Sequence, residues 1–463
     1  MNTRNQTELQ KRILPIVLIG FALSSCTPAS LPQTETRVPT AAVMSTAVVQ
    51  VVTPIPTPSI ITPTAARVVI RVGTGDSGDA LNPHQMIIQS YEDNHSNVMV
   101  QMEAIAGIDY YARLMTLAEA KRAPDVVAVA DDYVQFFVEK GMFLPLDDLK
   151  DKVAFDPSAY VPGTLEPGQV NGKQYFLPHN YSPLALYYNK KLFDAAGLPY
   201  PEENWTWDNL LSVARRLTID KNRDGKPEQW GIQMNANWET GFEYWVAAAG
   251  GKLISEDGKN ILGYMDSPES IRALQFYADM YNKYKVTPPP VDLMAWGGGN
   301  QEFENGTAAM LIFGHWPHTG FIRNPNIDLG VTAPPRDKIR ANILFWDGYG
   351  VSSSSENPVQ AADFLAFYGG EGSSEIWGED LLPVVKTAVI GDGQILGQLE
   401  KVWLDELDHL VPRAYLFTPY WEESARFILK DALTTVIMDP NADVTQTLKK
   451  AARESQAALD LYP

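Results

Sequence analysis

Short runs of β-branched residues alternate with helix-like stretches from Val68 onward, and this alternation limits the folds open to the chain. The pattern predicts strands over 68–72, 98–102 and 125–129, with helices over 83–95 and 110–121 between them. Such alternation is typical of an α/β domain, in which helices cover both faces of a mostly parallel sheet. Because ligands of these sheets lie beyond the carboxyl ends of the strands, we expect a binding edge at residues 75–77 and 130–133.

The N-terminus has the layout of a secretory signal. Three basic residues precede an apolar run over 13–23 that is too short to span a bilayer stably. The run ends in Leu23-Ser24-Ser25-Cys26, which resembles a bacterial lipobox, in which the cysteine is acylated and the preceding peptide is removed. The sequence therefore predicts a lipoprotein signal peptide over 1–26 and lipidation at Cys26. Several acyl chains would anchor the protein to the cell membrane nearly permanently.

The segment 27–66 is dominated by Pro, Thr, Ala and Val, with repeated Thr-Pro pairs such as Thr53-Pro54 and Thr57-Pro58. Proline removes backbone donors and fixes φ, so such a segment favours extended conformations over a packed core. We interpret it as a disordered tether between the anchored cysteine and the folded part of the chain.

Composition and net charge exclude several kinds of site and partner. Cys26 is the only cysteine among 463 residues, which excludes a disulfide framework and a cysteine-ligated metal site. The length allows two sizeable domains, whose stability must come from burial. The formal net charge of −19 argues against nucleic acid and anionic membrane surfaces as partners.

The middle of the chain resembles a known family. The segments Pro183 to Phe193, Ala196-Gly197-Leu198-Pro199 and Trp205 to Leu210 are similar to the family 1 extracellular solute-binding proteins, which include the maltose-binding type. Physically, an apolar strand is followed by a helix with a glycine cap, and Thr206 then caps the next helix. Further matches, from Pro124-Asp125-Val126-Val127 to Leu382-Pro383-Val384, extend the resemblance over nearly all of the chain after the tether.

The resemblance implies a two-lobed periplasmic-binding-protein fold of type II, with each lobe a mostly parallel sheet flanked by helices. It implies lobes over 67–183 plus 347–411 and over 184–346 plus 412–463, with crossings near 182–185, 345–348 and 412–418. Closure around the ligand would be a population shift toward a form that ABC permease subunits recognise. The resemblance thus predicts an extracytoplasmic, monomeric component of an ABC importer that needs no cofactor.

Aromatic residues next to glycine or at predicted strand ends point to a carbohydrate, because sugar rings stack on aromatic faces while carboxylates accept their hydroxyl hydrogens. We predict a neutral carbohydrate between the lobes, with Trp316 and Trp421 as stacking platforms and Asp132 as a hydroxyl acceptor. Ala128-Val129-Ala130 stands where maltose-binding relatives have an aromatic residue, so the identity of the sugar stays open. The candidate ligand-binding residues are Asp76, Asp131, Asp132, Tyr181, Trp238, Trp296, Trp316, Trp346, Tyr420 and Trp421.

One loop is similar to the start of a calcium site. Asp220, Asn222, Asp224 and Glu228 have the spacing of oxygen ligands, with glycine at the sixth position, but Gly231 stands where the bidentate glutamate belongs. An acidic surface turn is the preferred interpretation, and we predict no metal.

Two other functions remain open. No serine elbow, phosphate loop or zinc helix is present, but paired carboxylates and aromatic residues also suit an extracellular glycoside hydrolase, with Asp131, Asp132 and Glu239 as candidates. A ligand receptor lipoprotein without a transport role would share every one of these features. His179, near the first crossing, is expected to be a cleft or hinge residue rather than a catalyst.

Overall fold

Two β-sheets form the framework of the protein in this computed structural model. The structure describes residues 67–105, 110–149, 151–153, 155–236, 238–289, 299–378, 381–387 and 399–462. They belong to one unit that begins at Thr64. The predicted signal peptide, Cys26, the predicted tether and Trp296 lie outside the described residues. None of the described helices is both long enough and apolar enough to cross a membrane.

The larger sheet has five strands in the order β2-β1-β3-β10-β6. Its strands are β1 (Val68–Thr74), β2 (Val98–Ala104), β3 (Val126–Ala130), β6 (Phe176–Pro183) and β10 (Leu344–Val351). β1 is parallel to both β2 and β3, whereas β10 runs antiparallel to β3 and β6. This sheet and its helices form the first lobe, and the three strands predicted from β-branched runs are confirmed within it.

The smaller sheet has the order β8-β7-β9 and is the framework of the second lobe. Its strands are β7 (Ala185–Asn189), β8 (Met310–Phe313) and β9 (Leu329–Thr332), and both pairings are antiparallel. The predicted two-lobed α/β fold is confirmed, but the mostly parallel sheet expected in each lobe is not found in this one. The central strand β7 runs antiparallel to both β8 and β9, so the two outer strands run in the same direction.

Helices flank both sheets, and a two-stranded hairpin of β4 (Gln169–Val170) and β5 (Lys173–Gln174) precedes β6. A π-helical turn, Glu422–Arg426, leads into α13. The helices are α1 (Leu81–Asn94), α2 (Tyr110–Glu119), α3 (Asp131–Glu139), α4 (Lys190–Ala196), α5 (Trp207–Leu217), α6 (Glu239–Ala248), α7 (Pro268–Asn282), α8 (Gln301–Glu304), α9 (His318–Arg323), α10 (Pro358–Tyr368), α11 (Ser374–Trp377), α12 (Lys401–Glu406), α13 (Phe427–Met438) and α14 (Val444–Leu459).

Local sequence signals set the bounds of the helices that follow β7. Gly197 ends α4 with φ of 61°, a left-handed conformation that glycine adopts without a Cβ penalty. Thr206 begins α5 through a capping box, because its Oγ1 accepts from Asn209 N while Asn209 Oδ1 accepts from Thr206 N. Both predicted caps are confirmed.

Each lobe has its own apolar core. In the first lobe, Val72 and Val126 of the sheet pack with Phe364 of α10, and all three are fully buried. In the second lobe, Leu186 of β7 packs with residues of α5, α6 and α7 such as Leu210. A further cluster joins strands of both sheets, including Trp346 of β10 and Leu311 of β8, which makes the packing continuous where the chain crosses.

The crossings between lobes are joined by one buried side chain, Asn342. Its amide accepts from Leu184 N at 3.0 Å and donates to Leu184 O at 2.8 Å. Its backbone pairs with His409 O and Val411 N, so the residue contacts all three crossing segments. β10 pairs with β6 from its first residue, Leu344, so the predicted crossing region 345–348 lies within the strand pairing of the five-stranded sheet.

Candidate ligand-binding cleft

A cleft between the lobes opens at the carboxyl edge of the five-stranded sheet. One part, of about 520 Å³, is lined by residues that follow β1 and by the ends of β3 and β6, including Asp76, Ala130 and Asn180. The adjoining part, of about 280 Å³, shares Asn180, Trp316 and Asp347 with the first. Because β10 is antiparallel to its neighbours, its first residues, including Asp347, lie at this same edge.

A second concavity of about 580 Å³ lies on the first lobe beside α1 and α10, lined among others by Tyr91, Tyr160 and Phe367. It contains none of the strand-end residues of the cleft and no residue of the second lobe. The cleft is therefore the better candidate for a ligand that closes the two lobes.

Asp76 is held at the cleft wall by a buried histidine. His84 Nε2 lies 2.8 Å from Asp76 Oδ2, and His84 Nδ1 contacts the hydroxyl of Tyr368. Burial favours the neutral acid, but the hydrogen bond and the positive potential from His84 outweigh it and lower the pKa of Asp76. Asp76 is therefore an acceptor of fixed orientation.

Asp131, at the N-terminus of α3, forms a buried ion pair between the lobes. Its Oδ2 accepts from Arg413 Nη1 at 2.9 Å and from the hydroxyl of Tyr415 at 3.0 Å. Arg413 Nε also donates to Glu243 of α6 at 3.1 Å. Burial raises the pKa of Asp131 to about 7 although Arg413 opposes the shift.

Asp132 forms a second, parallel link. Its Oδ2 lies 2.8 Å from Arg426 Nη1, and Arg426 Nε lies 2.6 Å from Glu239 Oε1 at the start of α6. Arg426 Nη1 also donates to Glu422 at 2.7 Å. Burial, then the charge of Asp132, raises the pKa of Glu422 to about 8. Each of the adjacent aspartates is thus joined by one arginine to a glutamate of α6.

Asp347 differs from its acidic neighbours because it has no cation. Within the described part of the chain, no ion pair joins it to lysine, arginine or histidine. Burial, followed by the negative charges of Asp131, Asp132 and Asp76, raises its pKa to about 7, while the hydrogen bond from Asn180 opposes this shift. Asp347 is half-buried and lines both parts of the cleft as an acceptor.

Aromatic rings form the apolar part of the cleft wall. Trp316 is 40% exposed and lines both parts of it, beside Trp238, whose ring stacks on Phe345 at 5.2 Å. Trp316 packs flat against the backbone of Gly314, where a Cβ would lie 1.8 Å from its Cζ3 atom. Glycine at 314 is therefore required for this ring position, and the exposed face is free to stack on a ligand.

The sequence profile of the family described as bacterial extracellular solute-binding protein matches residues 79–375. The chain belongs to this family. As an extracellular solute-binding protein it acts outside the cytoplasm and is not an enzyme, so the glycoside hydrolase that the sequence left open is not supported.

Three similar proteins illustrate the relationship of this solute-binding protein to its family. A binding protein of Brucella abortus is 27% identical over 394 residues, which cover 80% of this chain and 88% of that protein. A Listeria monocytogenes substrate-binding protein, solved with cycloalternan, is 24% identical with a TM-score of 0.75, over 85% of this chain and 99% of that one. A Mycobacterium tuberculosis protein solved with glycerophosphocholine is 23% identical with a TM-score of 0.74, over 85% and 98%. The two structures share the fold.

The cleft brings together six of the residues that the sequence of this solute-binding protein suggested. Asp76, Asp131, Asp132, Trp238, Trp316 and Trp346 line it. Trp346 contributes little surface, since it is 1% exposed and its Nε1 donates to Thr164 O at 2.7 Å.

Three other predicted residues lie outside the cleft lining. Tyr181 is fully buried in the core, although it is on β6 next to Asn180. Trp421 is 3% exposed and packs in the core of the second lobe. Tyr420 stacks on Tyr462 at 4.4 Å near the C-terminus. Trp296, the remaining candidate, is not among the described residues.

Sequence reasoning missed several residues that line the cleft. Tyr110 and Tyr111 begin α2, and the only signal for them was their position at the start of a predicted helix. Asp347 and Arg413 lie near predicted crossings, which was a usable signal, because crossings border the cleft. His179 lines the cleft, as its position near the first crossing suggested.

The loop that is similar to a calcium site uses its oxygens for its own backbone. Asp220 accepts from Gly225 N, Asn222 from Asp224 N, and Asp224 from Lys226 N, each at 2.8 to 2.9 Å. Glu228 accepts from Lys221 N at 2.8 Å. Within the described ranges, no group of three histidine, cysteine or acidic residues is positioned to hold a metal ion. The loop has the geometry of an acidic turn.

Proposed function

We propose that this protein captures a sugar or oligosaccharide in the cleft and presents it to the permease subunits of an ABC importer. The observation that carries the proposal is Trp316, a large ring that is 40% exposed at a site flanked by carboxylate acceptors. An exposed aromatic face between the lobes fits the apolar face of a sugar ring, and the surrounding acceptors fit its hydroxyl groups. The Listeria protein of the same fold, solved with cycloalternan, supports this ligand class.

The site favours a sugar over an anionic solute such as a glycerophosphodiester. Arg413, which lines the cleft, and Arg426, which pairs with the cleft residue Asp132, are each committed to carboxylates on both lobes. A phosphate would therefore meet Asp347 and Asp76 without a free cation, and like charges in a desolvated site cost binding free energy.

In this proposal, transport depends on closure of the two lobes around the ligand. The ligand contacts strand ends of the first lobe and Trp316 of the second, so it binds the closed form more tightly than the open one and shifts the population toward closure. The proposal includes a monomeric protein that is held at the cell membrane by acyl chains on Cys26 after removal of residues 1–25, with 27–66 as its tether.

The test is a thermal-shift and calorimetric screen of the purified protein against neutral sugars, amino sugars, oligosaccharides, glycerophosphodiesters and peptides. A ligand at one hundred times its dissociation constant adds about 2.7 kcal/mol to stability, which is readily detected. We expect sugars to give the largest shifts and to be recovered chemically unchanged. A shift with glycerophosphodiesters or peptides and none with any sugar would overturn the proposal.

A further inference from the structure

The side chains around the cleft include more carboxylates than arginines. The carboxylates that line it or pair with its arginines are Asp76, Asp131, Asp132, Glu239, Glu243, Asp347 and Glu422, and the arginines are Arg413 and Arg426. Among the carboxylates of this set, His84 contacts Asp76, and its other ring nitrogen contacts the hydroxyl of Tyr368. An excess of acceptors in a desolvated site is unfavourable unless a cation or protons enter it.

The excess is concentrated at Asp347. Its raised pKa, about 7, reflects burial and the neighbouring Asp131, Asp132 and Asp76, with no cation in contact. The polar groups that line the cleft with Asp347 or act on its charge are Asp76, His84, Tyr110, Tyr111, Asp131, Asp132, His179, Asn180, Tyr349 and Arg413. Arg413 is the arginine among them, and it is paired with Asp131 and Glu243 rather than with Asp347.

Unpartnered acceptors lie beside Asp347. Asn180 is 8% exposed and lines both parts of the cleft, yet no described residue donates a hydrogen bond to its Oδ1. Asp132 Oδ1 is buried and likewise has no donor among the described residues. Buried acceptors of this kind are rare without a partner, so a bound molecule that donates hydrogen bonds is indicated.

Rings enclose the same space. Tyr110, Tyr349 and Trp377 line the larger part of the cleft together with His84 and His179. Aromatic faces attract ammonium groups through their quadrupole, most strongly where water is excluded. Carboxylate and amide oxygens beside aromatic rings form a surface that can accept a protonated amine.

We propose that the ligand presents a protonated amine to Asp347 and Asn180, so that the captured solute is an amino sugar or an oligosaccharide that contains one. This inference rests on the proposed sugar-binding function. It differs from the neutral carbohydrate that the sequence alone suggests, because only the fold reveals that Asp347 lies among other carboxylates without a cation. Trp316 keeps its stacking role toward the ring that carries the amine.

The test compares matched sugars by calorimetry at neutral pH. Glucosamine, galactosamine and mannosamine, each as monosaccharide and oligosaccharide, are paired with their N-acetylated forms, which lack the charge, and with the parent hexoses. We expect the free amine to bind at least about tenfold tighter than both uncharged counterparts, which corresponds to about 1.4 kcal/mol. Asp347→Asn should remove this preference, measured as the ratio of the affinities for charged and uncharged sugars within the variant.

Asp431→Asn is the matched control, since Asp431 is exposed on α13 and its side chain lies outside the cleft lining. It should preserve the amine preference in full. Equal or tighter binding of the uncharged sugars by the parent protein would overturn the amine inference while the sugar-binding proposal stands. Binding of linear polyamines together with no binding of any sugar would instead overturn the proposed function. Because affinities for charged and uncharged sugars are compared within one variant, partial misfolding does not produce the expected result.

Discussion

Arg426 Nη1 donates to Asp132 Oδ2 at 2.8 Å, and this contact joins a residue of the second lobe to the helix that follows β3 in the first. A parallel contact joins Arg413 to Asp131. The adjacent aspartates, which the sequence suggested as ligand acceptors, are thus used in part to hold the lobes at a defined separation.

The first prediction follows from that pairing. Arg426→Met keeps an apolar stem but leaves Asp132, Glu239 and Glu422 without their cation, so the free energy of unfolding should fall by about 3 kcal/mol or more. Chemical denaturation measures this. Arg216→Met, at an exposed position of α5, is the control and should change stability by less than about 0.5 kcal/mol. Equal stability of the two variants would mean that the arginine link does not form in solution.

The second prediction separates two tryptophans that the sequence treats alike. Trp316→Ala removes a 40% exposed ring from the cleft wall and should weaken ligand binding at least about tenfold with little loss of stability. Trp421→Ala removes a ring that is 3% exposed in the core and should destabilise the protein by about 3 to 5 kcal/mol. Calorimetry and denaturation are measured on both variants, and the reverse assignment of effects would contradict the described cleft.

The third prediction concerns pH. The pKa of Asp347 rises from 3.8 to about 7 on folding. Between these pH values the folded state keeps a proton that the unfolded state has lost. The resulting contribution to stability therefore decreases as pH rises and is lost as pH passes through about 7. Asp347→Asn is neutral at every pH. The free energy of unfolding of Asp347→Asn, relative to that of the parent, should therefore rise by more than about 1 kcal/mol between pH 5 and about pH 8. Denaturation curves at both pH values test this, and a constant difference would show that Asp347 is not desolvated.

The fourth prediction addresses the anchor. Cys26→Ser removes the thiol that the lipobox-like sequence offers for acylation, so the protein should leave the membrane fraction or keep its signal peptide. Cell fractionation and the apparent mass on a gel measure both effects. A variant that fractionates and migrates like the parent would refute the lipoprotein proposal.

The fifth prediction concerns residues 27–66. Their repeated prolines remove backbone donors and favour extended conformations over a packed core, so their deletion should leave ligand affinity unchanged. Calorimetry on the shortened protein is the measurement. A large loss of affinity would indicate that the segment packs on a lobe.

Much of the fold was predictable because its signals are local. The strand that became β1, the glycine cap at Gly197 and the capping box at Thr206 each depend on a few adjacent residues. The edge of the sheet that carries Asp76 and Asp131 also followed from local pattern, since the carboxyl ends of parallel strands share one edge.

The roles within the cleft were not predictable, because they depend on partners far apart in sequence. Asp132 and Arg426 are separated by 294 positions, and Asp131 and Arg413 by 282. Trp421 resembled a stacking platform only because burial cannot be inferred from a residue and its neighbours. The raised pKa of Asp347 results from burial and then from three other carboxylates that the fold brings near it.

The amide of Asn342 has a mechanical consequence. It contacts Leu184 directly, and its backbone pairs with His409 and Val411, so the three connecting segments are fastened at one point. Segments fastened in this way cannot twist independently, and torsion applied to one is transmitted to the others. We therefore expect the lobes to rotate about one hinge axis at Asn342, with the changes in φ and ψ occurring in the residues on either side of it.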